Sequence, residues 1–290
     1  MQRKKIKKVV FPVGGLGTRF LPVTKTLPKE MLPVANKPLI QYAFEEAKEA
    51  GIEEFIFITG RNKNVINNHF DHVYELQQLL SDKQKKRELE LTKNWLPDAG
   101  SIMFIRQQNP LGLGHAIWCA RKAVGDEPFA VILADELLKT PKGFLKEMLG
   151  LYNEVGGNIL GLAEVPREEV SSYGIVDVTP NGHYYKINNM VEKPSVKEAP
   201  SSLIIAGRYI LNSSIFDVLE HTKEGRGGEI QLTDAMVRML GSEKFYGKLF
   251  GGARFDCGNY LGYLEANLAY ACDETEYHSK IQGMLKKYGV

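Results

Sequence analysis

The chain has 290 residues, 43% of them hydrophobic, enough to bury a large core. Its 37 Lys+Arg against 35 Asp+Glu leave a net charge of +2, too even for a nucleic-acid binder or a membrane-surface protein. No apolar run approaches the ~18 residues of a membrane span, and three widely spaced cysteines, Cys119, Cys257 and Cys272, argue against a disulfide framework or a zinc site.

In chain order, Arg3, Lys4, Lys5, Lys7 and Lys8 read as a short solvated basic tail with no signal-peptide core behind it, so a cytoplasmic chain is expected. Val9-Val10-Phe11 reads as a buried parallel strand. It runs into Gly14, Gly15 and Gly17, where bare backbone can approach a ligand and turn its amides inward. Arg19, Lys25 and Lys29 add cations, and Pro22, Pro28 and Pro33 stiffen the segment. Such a loop suits a triphosphate. It is neither a P-loop nor a Rossmann fingerprint, which needs a glycine where Phe20 stands. Residues 38–51 read as a helix, 54–59 as a strand and 62–70 as a helix, giving a parallel α/β pattern. Residues 71–93 are polar and helical in spacing, an insertion or lid without chemistry of its own. His69 and His72 share a spacing but have no third ligand nearby, so they read as ordinary histidines.

A strand over 101–107 feeds Gly112-Leu113-Gly114-His115-Ala116, the start of a helix expected to run to Ala123. The Gln107 amide and the Gly112 backbone together can read a pyrimidine edge, and His115 is expected to cap the helix start, with no catalytic part. The apolar run 129–134 ends in Asp135-Glu136, carboxylates at the carboxyl end of a strand where a hard oxygen ligand suits Mg²⁺. A helix over 142–155 closes the first half. Strands are expected over 159–165, from Tyr173, over 184–191 and over 201–211, the third running into Glu192-Lys193. Residues 229–235 open a helix. Cys257 reads as a buried spectator, Tyr260, Leu264, Leu268 and Ala271 as a core or subunit-contact stripe, and 274–287 as an amphipathic helix.

Several of these segments carry a resemblance. Gly-Gly-Leu-Gly-Thr-Arg-x-x-Pro-x-Thr-x-x-x-Pro-Lys from Gly14 to Lys29 resembles the signature of sugar-1-phosphate nucleotidylyltransferases. The string 28–42, PKEMLPVANKPLIQY, and the insertion at 71–93 resemble the bacterial UTP–glucose-1-phosphate uridylyltransferases in particular. Gln107 with Gly112 to Ala116, Tyr173-Gly-Ile-Val with Val191-Glu-Lys-Pro, Glu229-Ile-Gln-Leu-Thr-Asp-Ala and Phe255-Asp-Cys-Gly-Asn are similar to further family segments, in the same order. The family usually has Leu-Pro-Asp followed by Asp or Val where 133–136 read Leu-Ala-Asp-Glu, so Asp135 is retained and Glu136 departs. Gly227-Gly228 stand where Gly-Asp is frequent.

The resemblance implies an α/β fold, a three-layer Rossmann-like mixed, mainly parallel sheet flanked by helices, of the nucleotide-diphospho-sugar transferase type. It implies one domain over 1–290, with a nucleotide part to about 155, a sugar-phosphate part over about 156–257 and a C-terminal helical segment over 258–290. The implied reaction joins UTP and glucose 1-phosphate into UDP-glucose and pyrophosphate, with Mg²⁺ held by Asp135 and Asp256. Arg19, Lys29 and Lys193 are the implied catalytic cations, for the β/γ-phosphates, the α-phosphate and the sugar phosphate respectively. Gly14, Gly15, Gln107, Gly112 and Asp135 serve the nucleotide, and Gly174, Glu192 and Lys193 the sugar phosphate. A homodimer or homotetramer is expected. A dTTP-using thymidylyltransferase and a non-catalytic nucleotide-sugar sensor are the alternatives.

Overall fold

The computed structural model describes residues 3–273 and 275–289. The chain opens with β1 (Lys8–Val13). A hairpin of β2 (Pro33–Val34) and β3 (Lys37–Pro38) leads into α1 (Leu39–Glu49), β4 (Glu54–Thr59), α2 (Asn64–His69), α3 (Tyr74–Asp82) and α4 (Lys86–Leu91). Then come β5 (Ile102–Arg106), α5 (Leu113–Cys119), α6 (Arg121–Val124), β6 (Phe129–Ile132), β7 (Glu136–Lys139), α7 (Phe144–Val155) and β8 (Asn158–Glu164). The remainder runs β9 (Gly174–Asn181), β10 (Tyr184–Glu192), β11 (Leu203–Leu211), α8 (Ile215–Glu220), α9 (Leu232–Met239), β12 (Phe245–Leu249), β13 (Ala253–Asp256), α10 (Tyr260–Asp273) and α11 (Thr275–Lys287).

A nine-stranded sheet in the order β5-β4-β1-β6-β11-β8-β12-β10-β9 organises the molecule. β1, β4, β5 and β6 are parallel neighbours, as are β8 and β12; β11 and β10 run against their neighbours. Alternation along β1 explains the layers, because successive strand residues point to opposite faces. Val9, Phe11 and Val13 pack with Ile40 and Phe44 of α1 and Phe144 and Met148 of α7. Val10 packs on the other face with Ile117 of α5 and Leu232 and Met236 of α9. All four β1 side chains are fully buried, and each contributes about 1.5–3 kcal/mol relative to exposure. The result is helix, sheet, helix, as expected. Among the described residues, no helix is long and apolar enough to cross a membrane.

A two-stranded ladder of β7 and β13 stands beside the main sheet and pairs Glu136 with Asp256. It rests on a small core of Leu137, Phe255, Cys257 and Ala266. Cys257 is fully buried there, and burial with nearby carboxylates pushes its thiol up, as a spectator requires.

Some local expectations need correction. Lys8 belongs to β1 rather than to a free tail, and its ammonium donates to Val124 O at 2.9 Å. The helix after Gly112 breaks at Ala120. Tyr260, Leu264 and Leu268 face outward, which overturns the core half of the expectation for that stripe and not the subunit-contact half, while Tyr263, Ala266 and Tyr270 form the packed side of α10. α3 and α4 bury no residue, as a polar insertion should. His69 lies 3.1 Å from Gln41 Oε1 and His72 3.3 Å from Gln77, so the pair is not joined. α8 and the short strands β7, β12 and β13 were not anticipated. Of the expected C-terminal helix, Glu274 lies outside the described residues.

Candidate active site

Two cavities open at the carboxyl ends of the parallel strands, where α/β sheets place ligands. The first, about 510 Å³, is lined by the Gly14–Thr18 loop, Lys29, Gln107, Gly112 and Asp135. The second, about 970 Å³, is lined by Arg19, Asp135, Tyr173, Lys193, Arg254 and Asp256 among others. Asp135 belongs to both walls.

The first cavity is narrowed by backbone. A β-carbon on Gly14 would lie 2.9 Å from Gln107 Oε1, so only glycine lets this amide close over the loop. Gly112 has φ +99°, and a β-carbon there would lie 2.7 Å from Glu229 Cβ and 2.9 Å from Ile230 O. The Glu229–Gln231 segment is tied to this turn, with Ile230 N donating to Leu111 O and Gly114 N to Ile230 O, both 2.8 Å. Gln107 Nε2 donates to Gly112 O at 3.1 Å. His115 makes no helix cap; its Nδ1 lies 3.0 Å from Gln107 Nε2.

At the shared wall, Lys29 Nζ lies 2.5 Å from Asp135 Oδ2. Burial alone would raise the Asp135 carboxyl, but the charge and hydrogen bond of Lys29, with help from Arg19, hold it below the usual range. Lys29 is raised in turn, because Asp135 and Glu30 outweigh the burial that would lower it. Next to Lys29, Glu30 forms a buried 2.7 Å ion pair with Lys63, which ties the lysine-bearing turn to the start of α2. The turn bearing Asp135 is held from beneath by Arg208, which is 1% exposed. Arg208 pairs with Glu46 at 2.7 Å and donates to the carbonyls of Leu133, Gly207 and Glu136.

Asp256 comes alongside through the β7–β13 ladder, and Cys257 N donates to Asp135 O at 2.8 Å. A β-carbon on Gly258 would lie 2.9 Å from Asp256 Oδ1, 3.2 Å from Asp135 Oδ2 and 3.5 Å from Arg19 Nη1. Both carboxylates and a guanidinium therefore converge on one point. Asp256 Oδ2 accepts from the Tyr173 hydroxyl at 2.7 Å. Burial, above all, pushes that hydroxyl up to about 12, so it stays a donor. Among the described residues no group of three or more His, Cys, Asp or Glu could hold a metal. Two adjacent carboxylates with room for phosphate and water is the donor set of a hard divalent cation shared with a substrate, rather than an all-protein cage.

In the second cavity Lys193 adopts φ +46°, an uncommon backbone for lysine, with its N–H donating to Tyr173 O at 2.9 Å. Its ammonium lies 3.4 Å from Glu192. Gly174 pairs with Glu192 across β9 and β10, and Thr233 Oγ1 donates to Glu192 Oε2 at 2.7 Å. Gly174 and Glu192 are not among the lining residues of either cavity.

A nucleotidyl transferase family model matches residues 8–272, a stretch that contains every one of these groups. The chain belongs to that nucleotidyl transferase family. The UTP–glucose-1-phosphate uridylyltransferase YngB of Bacillus subtilis (strain 168) is 45% identical over 285 residues, 98% of this chain and 96% of that protein. The fold is also similar to a UDP-glucose pyrophosphorylase complexed with UDP-glucose, at 44% identity and TM-score 0.85, covering 91% of this chain and 98% of the other. A UTP-bound UGPase from Acinetobacter baumannii is 41% identical with TM-score 0.89, covering 97% and 98%.

Of the sequence-derived set, Gly14, Gly15, Lys29, Gln107, Gly112 and Asp135 line one cavity and Arg19, Asp135, Lys193 and Asp256 the other, while Gly174 and Glu192 line neither. Sequence reading missed Glu30, Lys63, Tyr173 as a hydroxyl donor, Arg254, Thr233 and His115 as a partner of Gln107. Apart from His115, eight residues from Gln107 in the same segment, each of these acts through a residue distant in sequence, so nothing in its own neighbourhood marks it.

Proposed function

We propose that this chain makes UDP-glucose and pyrophosphate from UTP and glucose 1-phosphate. The observation that carries the reading is Asp135, the common wall of an amide-lined cavity and a cation-lined one, with Lys29 seated on it. The nucleotide enters the first cavity, its uridine held by Gly14, Gly15, Gln107 and Gly112. The sugar phosphate enters the second, with Lys193 on its phosphate and Gly174 and Glu192 on the glucose side. A phosphate oxygen of the sugar phosphate attacks the α-phosphorus in line. A new P–O bond forms as the α–β bridging bond breaks, and pyrophosphate carries off the electron pair. No protein nucleophile is needed. Catalysis is positioning and charge stabilisation, with Lys29 on the α-phosphate and Arg19 on the β/γ-phosphates and the departing pyrophosphate.

Asp135 and Asp256 are the residues that would hold Mg²⁺, which when bound offsets phosphate charge and polarises the P–O bonds. The sensor reading is disfavoured because both carboxylates and Arg19 converge on the region of Gly258, with Lys29 on Asp135. The main sheet draws strands from both halves, in keeping with one domain over 1–290. That domain would comprise a nucleotide part to about 155, a sugar-phosphate part over about 156–257 and a helical segment over 258–290. We place the protein in the cytoplasm, as a homodimer or homotetramer, a state that light scattering reads directly.

The test is pyrophosphate release with glucose 1-phosphate and Mg²⁺, comparing UTP, dTTP, ATP, CTP and GTP. Preference for UTP that EDTA abolishes is the expected result. Preference for dTTP would move the protein to the thymidylyltransferases. No turnover, with UDP-glucose still bound, would establish a sensor.

A further inference from the structure

Gln107 follows β5 and is 7% exposed. Its side-chain nitrogen has two hydrogens. One goes to Gly112 O at 3.1 Å, the other to His115 Nδ1 at 3.0 Å. A carbonyl accepts and never donates, so turning the amide over would set oxygen against Gly112 O. That fixes Oε1 on the Gly14 side, and both Gln107 and Gly14 line the nucleotide cavity. Among the described residues no donor reaches Oε1.

His115 is itself held. Its ring stacks on Trp118 with centroids 5.9 Å apart at 25°, and the Arg121 guanidinium lies 3.5 Å over the other ring. An Nδ1 that accepts requires the neutral imidazole with its proton on Nε2. Burial, and next the charge of Arg121, lower the His115 pKa and favour that form.

We propose that His115 is a positioning residue for base selection: by accepting from Gln107 it presents Oε1 to a pyrimidine N3–H, admitting uracil and opposing cytosine. Cytosine carries a lone pair at N3, which would face the lone pairs of Oε1. Thymine keeps the N3–H, so this device does not separate UTP from dTTP. The inference rests on the reading of this cavity as the uridine site.

The experiment measures kcat/KM for UTP and for CTP with glucose 1-phosphate, with CTP read as a competitive inhibitor where its turnover is too slow. His115→Phe keeps a ring against Trp118 and deletes the acceptor. His115→Asn restores an acceptor, Oδ1, near the place of Nδ1. The UTP-to-CTP ratio should fall roughly tenfold in His115→Phe, the worth of one neutral hydrogen bond, and recover in His115→Asn. Should His115→Phe fold poorly by circular dichroism, His115→Leu gives the same reading. Gln107→Leu separates the two levels. If it lowers the ratio while the acceptor-deleted His115 variants do not, the part given to His115 is overturned and the uridine site stands. If Gln107→Leu leaves the ratio unchanged, both fail.

Discussion

Glu136 and Arg254 meet diagonally across the β7–β13 ladder and close two hydrogen bonds, Nε to Oε2 at 2.8 Å and Nη2 to Oε1 at 2.7 Å. Arg254 then lies 4.7 Å over the ring of Tyr173, whose hydroxyl holds Asp256. The departure from the family string at Glu136 thus has a physical account. Its carboxylate is buried and is matched by a bidentate guanidinium, the strongest partner available to it. Burial still pushes Glu136 up to about 7 despite Arg254, with Asp256 and Asp135 adding to the rise.

Arg254→Met should therefore destabilise the fold by about 3 kcal/mol, because it strands a buried carboxylate. Urea unfolding measures this. The double variant Arg254→Met/Glu136→Val removes both charges and should recover most of the loss. A double variant no more stable than Arg254→Met would show that the pair is not the source.

Tyr173→Phe tests the next link. Removing a hydrogen bond that orients a metal-holding carboxylate typically costs 10–100-fold in metal affinity. The Mg²⁺ concentration for half-maximal activity should rise roughly tenfold or more. Equilibrium binding of Mn²⁺ in the presence of UTP gives the same comparison without turnover. Unchanged metal binding would reduce the Tyr173–Asp256 bond to packing.

The main architecture was legible because β1, β4 and β6 are near-continuous apolar runs and α1 and α7 are amphipathic, signals that each segment carries alone. The glycine loop, Lys29 and Asp135 were legible because phosphate chemistry restricts residue type locally. β7 and β13 were not, being four residues each and stabilised by one another rather than by their own pattern. Pairs such as Glu30 with Lys63, or Tyr173 with Asp256, join residues 33 and 83 positions apart. Only the folded chain brings them together.

Gly112→Ala adds a methyl at φ +99°, against Glu229 Cβ and Ile230 O. Both backbone and neighbours oppose it. The KM for UTP should rise by roughly tenfold or more, since the strained φ and the displaced Glu229–Gln231 segment together cost on the order of 1–3 kcal/mol. The KM for glucose 1-phosphate, which the proposed function assigns to the other cavity, should move far less. Equal rises in both would point to general unfolding, which a thermal melt would reveal.

His69 supplies a pH dependence. Burial lowers its pKa from 6.5, with Glu45 pulling the other way, and its ring stacks on Trp95 with centroids 4.7 Å apart. The unfolded chain then binds this proton more readily than the folded one. Its contribution to stability is present above the ordinary histidine range and is lost as pH falls through the lower, folded value. Between about pH 7.5 and about pH 5.5 the unaltered chain should lose more melting temperature, or gain less, than His69→Asn; the comparison cancels Glu136, whose raised carboxyl acts in the opposite sense in the same window.

Lys29 carries the catalytic argument, and its ion pair complicates the test. Lys29→Ala should lower turnover by roughly 10²-fold or more, as loss of a transition-state charge partner does. It also leaves Asp135, a partly buried carboxylate, with its nearest cation gone, so part of any loss is structural. Two comparisons separate the effects. Lys29→Arg keeps the charge but replaces a compact ammonium by a planar fork; it should restore the melting temperature more fully than the turnover. Lys29→Ala/Asp135→Ala should be about as slow as the slower single variant, because groups that act as one unit do not add. A folded Lys29→Ala protein with turnover near that of the unaltered chain would remove Lys29 from the catalytic set.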